Sequence, residues 1–170
     1  NESVTLTAEY GDTYQLWVGG VQVTDANRND VLDDGKVSFD PENCVLNLDG
    51  VTMLPGINSN QRSMIYANRM NLTVTGSGDL TSGQMFSNGI YVNLGSLTLN
   101  GDFSVVGSQG NGFYASKDII IKGGAITAQA KSYGIRAGRR LYLYDGITSV
   151  SADAEQQRAL YYNDIFVDPS

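Results

Sequence analysis

Four tyrosines and one arginine recur at nearly constant spacing. They lie 25, 23, 22 and 25 residues apart, at Tyr66, Tyr91, Tyr114, Arg136 and Tyr161. Sugars present apolar C–H faces that aromatic rings accept, while polar side chains fix orientation. The spacing therefore predicts a column that binds a polysaccharide or a glycoprotein glycan, with Arg136 as its polar anchor. Two alternatives stay open: the rings stack on one another for structural reasons, or another domain or chain covers them.

Basic residues follow the tyrosine positions closely. They are Arg69, Lys117, Arg139 and Arg140. Arginine forms bidentate pairs with carboxylates, so together with Arg136 this basic cluster is a candidate site for uronic-acid polymers. The alternative is a solvated turn that pairs locally with Asp118 and Asp164, because exposed charges are common and individually weak.

The segment "DANRNDVLDDG" resembles the start of a calcium-binding loop. Asp25, Asn27 and Asn29 supply oxygen atoms at alternate positions. Two features of such a loop are missing, because Asp30 replaces the turn glycine and Lys36 replaces the bidentate glutamate. A polar connecting loop is the default interpretation, with calcium as a weaker alternative and no other cofactor indicated.

Catalysis is the least favoured class of function. The chain has no histidine, which removes histidine-based triads and histidine-rich metal sites. Asp118, Lys117 and Arg139 could be imagined as a polysaccharide lyase site, but solvated charges explain them equally well. The acids at the predicted bends are Asp79, Asp102 and Asp145, and turn chemistry accounts for them. We therefore expect a non-catalytic module.

An internal repeat must position these side chains. Segments such as "GIYVNLGSLTLNG" and "GFYASKDIIIKGG" align at 22 to 25 residues, with a degenerate early copy led by Val37 and Phe39. Each copy shows three strand-like pieces with apolar residues on one side. Short strands at this period predict a parallel β-helix, a single-stranded solenoid of five to six coils. A β-sandwich is the competing fold, because it also has many short strands at regular spacing, but it does not require equivalent positions to repeat in residue type.

Corners and ends follow from the same repeat. Asparagine at the corner after the first strand tolerates the left-handed conformation, and stacked amides could hydrogen-bond from coil to coil. "YQLWVGGVQVT" predicts a β-hairpin around Gly19-Gly20 that caps the first coil, with Trp17 packed over it. This divides the chain into a cap at 1–34 and coils at 35–170.

The stretch "LWVGGVQVTDANRNDVLDDGKVSFDPENCVLNLDGVTM", followed by "GIYV", "LTLNG" and "GGAITA", resembles a family of bacterial β-helix domains. These domains occur on secreted or surface proteins and carry a broad carbohydrate-binding label. The resemblance covers roughly residues 14–167. It implies an all-β, right-handed parallel β-helix similar to pectate-lyase architecture, located at the cell surface or secreted, beside other domains of the same protein. Adhesion or a purely structural spacer role would fit the same setting.

Composition excludes other classes. The net charge is −7, and a nucleic-acid binder would normally carry a basic face. No apolar run approaches the roughly 20 residues that span a bilayer, so direct membrane insertion is not expected. With one cysteine, Cys44, no internal disulfide can form.

Overall fold

The computed structural model describes residues 11–52, 63–80 and 88–168. Within these ranges the chain is all-β, with no helix and hence none suited to crossing a membrane. The segment "LPGINSNQRS", which the sequence indicates as a long insertion in the repeat, lies outside the described residues except for Ser63. The strands are β1 (Thr13–Val18), β2 (Val21–Thr24), β3 (Val37–Asp40), β4 (Val45–Thr52), β5 (Ser63–Asn68), β6 (Leu72–Asp79), β7 (Asn88–Asn93), β8 (Leu97–Ser108), β9 (Asn111–Ala115), β10 (Ile119–Ala130), β11 (Tyr133–Ala137), β12 (Arg140–Ala154), β13 (Arg158–Tyr161) and β14 (Asp164–Val167).

The described strands form two seven-stranded sheets. The first sheet has the order β13-β11-β9-β7-β5-β1-β2, and the second has the order β14-β12-β10-β8-β6-β4-β3. From β5 and β4 onward all neighbours are parallel, and each turn of the chain adds one strand to each sheet. The predicted parallel β-solenoid is confirmed. About four complete turns are present rather than five to six, because β4 and the short pair β13–β14 are partial turns.

Equivalent residues of successive turns lie on top of one another. In the first sheet the inward column is Ile65, Ile90, Phe113, Ile135 and Leu160. In the second sheet it is Leu72, Leu97, Ile119 and Leu141. All of these except the half-buried Leu160 are buried, so the predicted apolar columns form one continuous core. Their removal from water is the main stabilising contribution to such a stack.

The expectation of three separate strands per turn is wrong in one respect. The second and third pieces form one strand that bends, and β8 and β10 each run for 12 residues through the bend. Gly76, Gly101 and Gly124 occupy the bend, with φ of +92°, +148° and +83°. A Cβ on Gly124 would lie 2.1 Å from the carbonyl oxygen of Gly101, so only glycine lets adjacent turns approach this closely.

The predicted hairpin caps the first sheet. β1 and β2 pair antiparallel around Gly19-Gly20, and β1 then pairs antiparallel with β5. Leu16 and Val18 point into the core, while Trp17 lies opposite Tyr66 with ring centroids 5.6 Å apart. Trp17 therefore contacts the first complete coil through Tyr66, on the outer face of the sheet rather than over the core.

A second hairpin caps the second sheet, and here the sequence interpretation is wrong. Val37 and Phe39 were expected to lead an early coil, but β3 pairs antiparallel with β4 in the second sheet. Both side chains are buried. Alternate residues of a strand point to the same face whether the strand is parallel or antiparallel, so the apolar pattern did not reveal the direction of β3. The core includes residues on both sides of the predicted boundary, such as Val31 and Val37, and the division of the chain between residues 34 and 35 stays a prediction.

The two ends of the described solenoid differ. Antiparallel hairpins close the N-terminal end, whereas β13 and β14 are edge strands of their sheets. Three side chains of β14, Ile165, Phe166 and Val167, are 40%, 46% and 64% exposed. The hand of the winding stays a prediction, although right-handed crossovers are the rule for parallel strands.

Candidate functional site

The five predicted site residues form one column on the outer face of the first sheet. Tyr66, Tyr91, Tyr114, Arg136 and Tyr161 pair in register across five consecutive parallel strands. Each side chain is half-buried. Trp17 of the cap extends the column to a sixth strand, which sequence reasoning missed because the hairpin lies outside the repeat. We call these six residues the aromatic column.

The tyrosine rings of the column stack on one another. The centroids of Tyr66 and Tyr91 are 5.7 Å apart with planes inclined by 22°, and those of Tyr91 and Tyr114 are 4.4 Å apart and inclined by 21°. Neighbouring strands lie about 4.8 Å apart, so in-register rings must meet near their stacking distance. The faces of these rings are therefore largely occupied by each other. What the column offers to solvent is a row of ring edges and hydroxyl groups.

The hydroxyl groups of the row can both donate and accept hydrogen bonds. Partial burial, followed by the neighbouring Tyr114, raises the pKa of Tyr91 above its ordinary value. A higher pKa keeps the phenol protonated at physiological pH. Sugar hydroxyls also donate and accept, so such a row matches them chemically.

Arg136 lies among three aromatic rings. Its Cζ is 5.3 Å from the centroid of Tyr114, 5.4 Å from that of Tyr161 and 5.0 Å from that of Tyr133. Tyr133 was not predicted as a site residue, since it stands three positions before Arg136 and outside the repeated tyrosine position. The arrangement is a cation–π cage that fixes the guanidinium within the column.

The corner after the first strand behaves as predicted in part. Asn93 Nδ2 donates to Asn68 Oδ1 at 3.0 Å, so stacked amides do join successive coils. The left-handed residues are not the asparagines but the residues that follow them, Arg69 and Leu94, with φ of 58° and 56°. The asparagine side chain instead serves as the rung between coils.

The basic cluster is only partly assembled. Lys117 and Arg139 are exposed on neighbouring coils, where the Arg139 N–H donates to the Lys117 carbonyl at 2.9 Å. Arg69 is exposed at the same edge, but the coil carrying Leu94 separates it from Lys117. These three residues therefore flank the aromatic column along one corner.

Arg140 pairs locally with Asp164, as the alternative interpretation of the basic cluster predicts. Its Nε lies 3.7 Å from Asp164 Oδ2, and its Cζ lies 5.7 Å from the Phe166 ring centroid. The hydrogen bond to the Tyr142 hydroxyl raises the pKa of Arg140 further. The Arg140 backbone N–H donates to Asp118 Oδ1 at 3.2 Å, so Asp118 holds a corner here.

The oxygen atoms proposed for calcium mostly serve the turn itself. Asp25 accepts hydrogen bonds from the Tyr14 hydroxyl and from the Asp12 N–H. Asn27 Oδ1 accepts from the Thr24 N–H at 2.7 Å. Asn29 is exposed, and the described ranges contain no group of three or more acidic, histidine or cysteine side chains arranged to hold a metal.

Sequence reasoning also missed an open groove on the second sheet. The groove has a volume of about 390 Å³ and crosses several turns next to the glycine bends. Its polar lining includes Thr52, Ser77, Asp79, Asp102, Ser104 and Thr127. Asp102 Oδ1 accepts a hydrogen bond from the Ala125 N–H at 2.8 Å, and Phe103 is buried. The groove therefore lacks the aromatic surface that distinguishes the column.

Comparisons with known proteins bear on the ligand class. A family described as carbohydrate-binding domain-containing proteins matches residues 2–151, which is most of the chain and includes Trp17 and four members of the column's repeat. No curated protein and no solved structure gave a match.

Proposed function

We propose that this chain, which belongs to the family of carbohydrate-binding domain-containing proteins, binds glycans along its aromatic column. The observation that carries the proposal is the unbroken register of Trp17, Tyr66, Tyr91, Tyr114, Arg136 and Tyr161 over six adjacent strands. A smaller cluster on the second sheet also joins a cation to stacked rings, Arg140 with Tyr142 and Phe166, but it spans only two strands and its cation is paired with Asp164.

The proposed contact uses hydroxyls and ring edges rather than open ring faces. Tyr66, Tyr91 and Tyr114 cover one another, so a sugar meets their phenol tips. An extended glycan lying along the solenoid axis would meet one side chain of the column about every 4.8 Å. Binding would therefore grow with the number of sugar residues that the column can contact.

The proposed setting is the bacterial cell surface or the secreted fraction, where the module would serve adhesion or glycan capture. The resemblance of "LWVGGVQVT" and the coil segments to surface β-helix domains supports this setting. Protease treatment of intact cells that express the protein tests it. Loss of the protein from intact cells is expected, and full protection would contradict a surface location.

A glycan array followed by titration calorimetry tests the binding site. The double variant Tyr91→Phe/Tyr114→Phe removes two hydroxyls but keeps both stacked rings. Because each hydrogen bond contributes about 1 kcal/mol, we expect affinity to fall about tenfold or more. The matched control is Tyr144→Phe, since Tyr144 is exposed outside the column and should leave affinity unchanged.

Three outcomes would contradict the proposal. If the wild type binds no glycan, the stack is a structural spacer. If the double variant and the control bind equally, the glycan lies elsewhere, and the groove on the second sheet becomes the next surface to test. If the same glycans are cleaved to unsaturated products, the chain is a lyase rather than a binding module.

A further inference from the structure

Arg136 interrupts an otherwise aromatic column at one coil. The neighbouring positions in register carry Tyr114 on one side and Tyr161 on the other. Their rings, with that of Tyr133, surround the guanidinium at 5.0 to 5.4 Å. Such contacts stabilise the charge and limit the movement of the side chain. The cation is therefore held in place before any ligand arrives.

The hydrogen-bond donors of Arg136 are not used by the described part of the chain. The ion pairs there join Arg28 to Asp25 and Arg140 to Asp164, and no described carboxylate lies within 4.0 Å of Arg136. No hydrogen bond among the described residues uses the guanidinium nitrogens of Arg136, none of them is a buried unpaired atom, and the residue is half-buried rather than enclosed. Arginine has five N–H donors and stays charged at every physiological pH. The side chain thus offers a fixed, open, positively charged fork.

The surroundings favour an anion although the chain as a whole is acidic. Lys117 and Arg139 are exposed three residues after Tyr114 and Arg136 on the same two coils. A local excess of positive charge raises the concentration of anionic ligands near the column.

We infer that the glycan bound by the column carries a carboxylate, and that Arg136 receives it within the Tyr114–Tyr133–Tyr161 cage. The inference rests on the proposed function, because it names the chemistry of the sugar at that same site. A planar carboxylate matches the guanidinium fork with two parallel hydrogen bonds. A sulfate ester shares the charge but not the planar shape, so the two anions can be separated by experiment.

The test measures affinity for paired glycans by titration calorimetry. The probes are alginate and hyaluronan oligosaccharides, the carboxyl-reduced form of each, and dextran sulfate. Charge-assisted hydrogen bonds are roughly twice as strong as neutral ones, so we expect the wild type to prefer an acidic probe over its reduced form by about tenfold or more. The preference should weaken as salt rises.

Substitutions at Arg136 assign the preference to this side chain. Arg136→Gln should abolish the preference for the acidic form while affinity for the reduced form stays within about twofold. Arg136→Lys should restore only part of it, because an ammonium is a point charge without the planar fork. Lys122→Gln removes one exposed positive charge on the second sheet and should keep the full preference.

The results separate this inference from the function on which it rests. Equal binding of acidic and reduced probes by the wild type overturns the carboxylate but leaves glycan binding intact. A preference for the acidic probe that survives in Arg136→Gln also overturns it. If dextran sulfate binds as tightly as the acidic probes or more tightly, the group that Arg136 receives is a sulfate ester and not a carboxylate. Absence of binding to any glycan would overturn both. The wild-type comparison decides the ligand class even if an Arg136 variant folds poorly.

Discussion

The stacked coils and the N-terminal cap are held in shape by different means. In the coils, each residue lies against its equivalent in the turns above and below, as Gly101 lies between Gly76 and Gly124. In the cap, individual side chains hold individual turns, as Asn27 does by accepting from the Thr24 N–H and donating to the Gln22 carbonyl. Repetition therefore makes the coils intolerant of small backbone changes, while the cap depends on a few polar contacts.

The comparison can be followed with two probes. Trp17 is the only tryptophan and lies in the cap, so its fluorescence reports the cap. Far-UV circular dichroism reports mainly the coils, which contain most of the described strands. Unfolding curves from the two probes coincide if cap and coils unfold together, and separate if they do not.

The largest expected effect comes from alanine at a glycine of the bend. Gly124 and Gly35 both have positive φ, +83° and +73°. A Cβ at Gly124 would lie 2.1 Å from the Gly101 carbonyl oxygen, whereas a Cβ at Gly35 meets nothing within 4 Å. Gly124→Ala should cost more than about 4 kcal/mol or prevent folding, while Gly35→Ala should cost about 1–2 kcal/mol for the left-handed backbone alone. Urea denaturation measures both, and equal costs would show that the stacking of turns is not the constraint.

Asparagine at a cap turn and at a coil corner gives an intermediate effect. Asn27 joins the Thr24 N–H and the Gln22 carbonyl, and Asn93 joins the amide of Asn68. We expect Asn27→Ala to cost about 1–3 kcal/mol and Asn93→Ala about 1 kcal/mol, since each loses a different number of partly buried hydrogen bonds. The loss in Asn27→Ala should appear first in Trp17 fluorescence. A loss seen first in circular dichroism would mean that the cap is not a separate unit of stability.

Much of the coil architecture could be predicted because a stack of parallel coils requires similar residues at a regular spacing in the sequence. Equivalent positions must have similar side chains, so the inward column led by Ile65 and the outward column led by Tyr66 were visible as a period. The first hairpin could be predicted for a local reason. Gly19 and Gly20 both have positive φ, and a pair of glycines is typical of a tight hairpin turn.

Other features could not be predicted because the pattern does not contain them. Apolar alternation is the same in parallel and antiparallel strands, so Val37 and Phe39 fitted a coil although they belong to a cap hairpin. The place of Trp17 in the aromatic column depends on the register between β1 and β5, which no repeat encodes. Stacking of Tyr91 on Tyr114 was one of the alternatives left open, and the sequence could not decide between them because the choice depends on side-chain rotamers as well as on strand spacing.

The smallest expected effect is a pH dependence confined to the cap. The Tyr14 hydroxyl and then the Asp12 N–H lower the pKa of Asp25 below its ordinary value of about 3.9. A lowered pKa favours the charged, folded form, so this stabilisation is present above about pH 5 and is lost as the pH falls through the folded-state pKa. Asp25→Asn should therefore flatten the acid limb of the Trp17 fluorescence titration, whereas Asp49→Asn, at an exposed residue of β4, should leave it unchanged. An identical acid limb in wild type and Asp25→Asn would show that other carboxylates set the acid stability of the cap. The hydrogen bonds of Asp25 to Tyr14 and Asp12 would then not be among the polar contacts on which the cap depends.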